Sequence, residues 1–154
     1  MSRTRLIPLY GLLVLLLLGG VTLWREYILS RGERILLPLA PVDPRSLMQG
    51  DYMRLDYELA RQWRPGAPLV VTLDARGVAR WRAQGKPERL APNERRLFPK
   101  QGRIGPDAYF FEEGDGEALT RARYGEFRLH RDVLLLVGLA DEEGHPLGKQ
   151  RPRW

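Results

Sequence analysis

The sequence predicts a mainly β domain, an antiparallel sandwich or small barrel with short helices, carried on one N-terminal transmembrane helix. Three observations predict it. Residues 6–24 form an uncharged, leucine-rich run of 19 residues. The rest of the chain breaks into many short alternating or apolar runs separated by Gly, Pro and Asp. No alternation of strands with long amphipathic helices appears, so a βαβ architecture is not indicated.

Composition narrows the functional classes. The chain has 154 residues and no cysteine, which excludes a disulfide scaffold, a cysteine-ligated zinc site and a thiol nucleophile. Only two histidines, His130 and His145, are present, so a histidine-rich metal centre is excluded as well. Hydrophobic residues make up 44% of the chain while the mean hydropathy is −0.36. Apolar residues are therefore concentrated, and the concentration is the N-terminal run.

As a helix, residues 6–24 would extend about 28 Å, close to the ~30 Å hydrocarbon core of a bilayer. Pro8 is read into the first turn, where its missing N–H costs little. Trp24 and Tyr27 fall where interfacial aromatics belong, and Arg25 ends the span. A cleaved signal peptide would have a shorter apolar stretch followed by a small-x-small cleavage site, and none follows here. The expected layout is a cytoplasmic tail at 1–5, the span at 6–24, a helical linker at 25–34, a β-rich domain at 35–140 and a loosely held polar tail at 141–154. Flanking charge does not orient the span, because Arg3 and Arg5 on one side face Arg25, Arg31 and Arg34 on the other. Long domains translocate largely regardless of charge. The expectation is a single-pass protein of the bacterial cytoplasmic membrane with its C-terminal domain outside, in the periplasm.

Within the domain, residues 35–39 read as the first strand. Asp43-Pro44 and Gly50 punctuate a short helical turn, with Asp as N-cap, Pro at the first position and Gly after the end. Residues 51–59 then alternate, with Met53, Leu55, Tyr57 and Leu59 on one face and Tyr52, Arg54, Asp56 and Glu58 on the other. Period two is the pattern of a half-buried strand. Residues 69–73 and 78–81 flank Asp74-Ala75-Arg76-Gly77 and read as a hairpin. Residues 84–107, with four prolines and three glycines, are read as an excursion holding one short strand at 96–98. Residues 108–112 read as a strand. A short helix is expected from Asp115 to Gly125, and a second hairpin from 126–130 and 133–139 around Arg131-Asp132.

Gly50-Asp51-Tyr52-Met53-Arg54-Leu55-Asp56-Tyr57 matches the pattern of the GDYXXLXY family at all five defining positions: Gly50, Asp51, Tyr52, Leu55 and Tyr57. The segments Phe110-Phe111-Glu112-Glu113-Gly114 and Arg123-Tyr124-Gly125-Glu126-Phe127-Arg128 resemble the family's C-terminal half, so the resemblance spans most of residues 36–140. It implies a bacterial protein with an N-terminal membrane helix and a place beside a multi-pass membrane protein. It brings no catalytic activity with it. Physically, Gly50 is expected to end the helical turn, Asp51 to accept backbone N–H groups and Leu55 and Tyr57 to enter the core. Tyr52, Arg54, Asp56 and Glu58 form a possible recognition face.

The chemistry sought elsewhere is thin. Ser46, Met48, Gly50 and Asp51 with Lys100 downstream resemble a signal-peptidase-like serine/lysine pair, which makes an envelope hydrolase the alternative function. The spacing departs from that pattern, because Leu47 separates Ser46 from Met48. A lysine base must also be buried to lose its proton, and residues 98–102 read as an exposed loop. Glu112, Glu113, Asp115 and Glu117 lack the spacing of an EF-hand loop. No glycine-rich phosphate loop precedes a helix. Neither a cofactor nor a metal is expected. The formal net charge of +6 divides into +2 for residues 1–24, +6 for 25–100 and −2 for 101–154. Of the 25 cations 22 are arginine, read as a compositional bias without a nucleic-acid signature. The expected partners are the lipid bilayer and a multi-pass membrane protein, with no nucleic acid. The function expected is a non-enzymatic, membrane-anchored accessory protein of the cell envelope.

Overall fold

The computed structural model describes residues 3–40, 52–112 and 114–148. The chain divides into two units, Met1–Gly32 and Glu33–Trp154.

The first unit is helix α1, Arg3–Arg31, 29 residues long. At 1.5 Å per residue it measures about 43 Å, enough for a bilayer core and part of one headgroup layer. Its stretch Ile7–Arg31 is long and apolar enough to cross a membrane, and none of its most apolar window is buried. A helix that is apolar all round and exposed all round suits lipid as its solvent. Trp24 and Tyr27 stack with ring centroids 6.1 Å apart at the end of the apolar run. Because the helix begins at Arg3, Pro8 lies in the second turn rather than the first. The Gly32 N–H closes the last turn on the Ile28 carbonyl at 2.8 Å, so the linker is largely a continuation of the helix.

The second unit is mostly antiparallel β. Strands β1 (Glu33–Pro38), β7 (Tyr124–His130), β8 (Val133–Ala140) and β9 (Pro146–Leu147) form one sheet in the order β1-β7-β8-β9. Strands β3 (Leu69–Leu73), β4 (Ala79–Gln84) and β5 (Glu94–Leu97) form a second, in the order β4-β3-β5. Strands β2 (Tyr52–Arg54) and β6 (Ala108–Phe110) form a ribbon. A parallel bridge between Leu36 and Val78 joins the first sheet to the second. The inward faces meet in one core that includes Ile35, Leu37, Met53, Val71, Leu97 and Phe127.

Both hairpins form as expected. In the first, the Asp74 carboxylate accepts the N–H groups of Arg76 and Val78, each at 2.9 Å, and Gly77 adopts φ +81°. Partial burial works to raise the Asp74 pKa, but those N–H bonds with Arg76 and Arg80 nearby prevail and hold it below its usual value. In the second, Arg131 takes the left-handed conformation at φ 53°.

Three expectations change. The expected strand over 51–59 pairs as a ladder only at Tyr52–Arg54, after which Tyr57 makes an isolated bridge to Leu39 and Glu58–Arg61 forms a 3-10 turn. The helix expected to run to Gly125 is a single turn, α2 (Gly116–Leu119), and Gly125 belongs to β7. The glycine supplies space rather than a helix stop: a Cβ there would lie 2.9 Å from the Phe127 ring and 3.4 Å from Tyr57. The tail beyond Asp141 is partly tied down, because β9 pairs with Leu139 and Ala140. The expected helical turn at 43–50, with Gly50, and the neighbouring Asp51 lie outside the described residues.

One charged side chain is buried among the described residues. Glu126 is 7% exposed and receives Arg34 through two bonds of 2.9 and 3.3 Å. Arg34 also donates to the Gly144 carbonyl at 2.6 Å, so the pair fastens the β8–β9 turn over Leu36. Arg128 approaches the same carboxylate at 3.8 Å and the Arg34 side chain is 33% exposed, so Glu126 sits between two cations in a pair only partly withdrawn from water.

Candidate functional site

The motif segment is the natural starting point. Its residues alternate in burial through Leu59 even where the ladder has ended: Met53, Leu55, Tyr57 and Leu59 are buried, while Arg54, Asp56 and Glu58 are exposed and Tyr52 is half-buried. Backbone bonds hold the segment extended without a continuous partner strand. Leu55 N–H donates to the Asp107 carbonyl at 2.8 Å, and Ala40 N–H donates to the Asp56 carbonyl at 2.7 Å. The motif therefore threads between the end of β1 and the loop before β6.

Tyr57 shows why a tyrosine is placed here. Its ring lies 5.8 Å from that of Phe127 in a tilted arrangement, and its hydroxyl donates to the Pro106 carbonyl at 2.9 Å. Gly105 leaves room for it, since a Cβ there would lie 2.9 Å from both the Tyr57 hydroxyl and the Phe127 ring. Burial, with the Asp107 carboxylate adding to it, pushes the Tyr57 hydroxyl well above its ordinary pKa, so it stays a neutral donor. Tyr57 is thus a clamp between the core and the loop at 102–107.

The outward residues are placed differently. Tyr52 pairs across the ribbon with Phe110, ring centroids 5.8 Å apart, and Phe110 is 77% exposed. Asp56 lies 4.0 Å from Arg61. Below this edge opens a groove of about 290 Å³, whose lining includes Leu55, Asp56, Tyr57, Trp63, Arg103 and Asp107. The Trp63 N–H is spent on the Ala67 carbonyl at 2.7 Å, and Arg103 pairs with Asp107 at 2.9 Å. The groove presents apolar side chains on its floor and the Arg103–Asp107 pair at its rim. Trp63 and the 102–107 loop were not anticipated. Neither has a local signal, because they reach the motif only through the fold.

Other sought-after chemistry is not assembled among the described residues. Lys100 is exposed in a tight turn closed by its own pairing with Arg103, the opposite of the burial a serine/lysine base requires. Ser46 lies outside the described residues, as does Glu113. Glu112 and Glu117 are exposed and Asp115 is half-buried, at the start of α2. Asp141, Glu143 and His145 bring ligand-type atoms within 4.8 Å of one another. Asp141 is committed to the turn, however, accepting the His145 N–H at 2.7 Å. A second, polar depression of about 400 Å³ is lined in part by Glu33, Arg34, Asp74, Arg76, Asn93 and Arg95.

No curated protein and no solved structure matches this chain. A family model described as GDYXXLXY protein matches residues 14–139, a span that takes in much of the apolar helix, the motif, both hairpins and most of β8. The chain belongs to the GDYXXLXY family.

Proposed function

We propose that this protein is a membrane-anchored, non-enzymatic accessory factor of the bacterial envelope, with its β domain on the periplasmic side of the cytoplasmic membrane. Its partners are the lipid bilayer and a multi-pass membrane protein, bound through the face that carries Tyr52, Arg54, Asp56 and Glu58. The observation that carries this reading is the alternation along residues 52–59. Met53, Leu55, Tyr57 and Leu59 are spent inside the core, while Arg54, Asp56 and Glu58 stand exposed with Tyr52 half-buried beside them, and Asp56 borders the groove. Exposed side chains with an apolar groove at hand are the usual makings of a recognition surface. The helix long enough to cross a membrane supports the anchoring.

Two experiments test it. Mild-detergent purification of the full chain after crosslinking is expected to recover one membrane protein in stoichiometric amount, and a lone monomer would contradict the accessory role. A topology reporter fused after Trp154 is expected to report the outside of the membrane. Activity of a reporter that works only in the cytoplasm would overturn the orientation.

A further inference from the structure

The arginines that look scattered along the sequence are gathered by the fold. Residues 61–100 hold ten Lys and Arg against three acids, while the remainder of the chain holds 15 against 16. The positive charge of the protein therefore resides in the stretch that builds the β4-β3-β5 sheet.

Register then sorts it. Thr72 of β3 lies opposite Arg80 of β4 and Glu94 of β5, and Val70 lies opposite Arg96. The alternate residues, Leu69 and Val71, enter the core together with Trp81 and Leu97. Arg80 and Arg82 thus stand exposed on the outer face, while Arg96, on the same face beside Val70 (1% exposed), is partly covered. Glu94, on the same face, is occupied by Arg82 at 3.0 Å and by the Ala91 N–H at 3.0 Å. The loop after β4 adds the exposed cations Lys86 and Arg89 against Glu88. Arg96 ties that loop to the sheet through the Pro87 carbonyl at 2.9 Å.

We propose that this outer face docks on the anionic phospholipid headgroups of the bilayer that anchors the chain. The inference rests on the anchoring reading above. Chain continuity supplies the argument for lipid: α1 ends at Arg31 and β1 begins at Glu33, so an anchored domain stays at the bilayer surface. Weak contacts there act at high effective concentration, and clustered Lys and Arg at a membrane surface are drawn to anionic lipid. A single-stranded nucleic acid would call for aromatic stacking platforms, whereas the one aromatic side chain of this sheet, Trp81, faces the core.

The chain lacks cysteine, so single-cysteine labels report cleanly. The full chain is placed in nanodiscs of neutral phosphatidylcholine, or with about 30% phosphatidylglycerol to mimic an anionic leaflet. A fluorophore sits at Leu90→Cys in the β4–β5 loop or, as reference, at Asp132→Cys in the β7–β8 turn, and a quencher is carried on the headgroups. Quenching at Leu90→Cys is expected to rise roughly two-fold with the anionic lipid and to fall back near 1 M salt, where the Debye length is about 3 Å. The Asp132→Cys label is expected to change little. The surface variant R80E/R82E/K86E/R89E is expected to lose the rise. Equal quenching in both lipids with the unmodified face would overturn the proposal, and that arm needs no charge variant to fold. A label that responds to soluble polyglutamate and not to anionic lipid would assign the face to an acidic protein and overturn it too. Failure of the chain to float with vesicles after an alkaline carbonate wash would instead contradict the anchoring itself.

Discussion

The two faces of residues 52–59 differ sharply in burial. The inward residues Met53, Leu55, Tyr57 and Leu59 are no more than 5% exposed and belong to one core with both sheets. The outward residues alternate with them along the same backbone: Tyr52 meets the Phe110 ring, and Asp56 approaches Arg61 at 4.0 Å. One short segment thus serves two physical purposes. The inward set holds the domain together, and the outward set is available to whatever lies outside it.

Variants separate the two sets by size of effect. Leu55→Ala deletes a buried side chain in the middle of the segment, and denaturant unfolding of the full chain in detergent is expected to show a loss of ~2–5 kcal/mol. A cost near zero would mean that the inward face is not part of the cooperative core. Gly105→Ala places a methyl group 2.9 Å from Tyr57 and Phe127, and the overpacking is expected to cost about 1–3 kcal/mol in the same assay.

Tyr57→Phe is a gentler cut, removing one hydrogen bond at an expected cost of about 1 kcal/mol. It also changes the response to alkali. In the folded chain the Tyr57 hydroxyl holds its proton above its ordinary pKa, whereas the unfolded chain releases it near pH 10. Its contribution is therefore complete below about pH 10 and declines as the pH rises further. An unfolding series across that range is expected to be steeper for the parent than for Tyr57→Phe, and parallel curves would contradict the buried clamp. The smallest effect belongs to the outward set. Arg54→Ala with Glu58→Ala is expected to change stability by no more than about 0.5 kcal/mol, and a larger loss would blur the distinction between the faces.

The same distinction explains what could be read from the sequence. The alternation at 51–59 identifies which side chains are buried, because that depends on a local period. It does not reveal that only Tyr52–Arg54 pair as a ladder, because pairing depends on β6, more than 50 residues away. The long apolar helix and both hairpins were legible for the same reason: a long apolar run and turn residues between apolar runs are local signals. Gly125 misled because glycine serves either to end a helix or to make room, and only Tyr57 and Phe127 decide between the two. The Arg34–Glu126 pair, 92 residues apart, and the groove beside Trp63 arise from chain crossings that no local pattern announces. That Arg80 and Arg82 share a face of the sheet is likewise set by strand register rather than by composition.

The proposal that bears most weight is that the outward residues of the segment, Tyr52, Arg54, Asp56 and Glu58, contact a membrane-protein partner. The most direct measurement places a photocrosslinking residue at Asp56 in the full chain, with Leu55 as the buried comparison, and irradiates intact membranes. One discrete adduct with a multi-pass membrane protein is expected from position 56 and none from position 55. Position 56 giving no protein adduct, in a chain that is folded and membrane-inserted, would contradict the account.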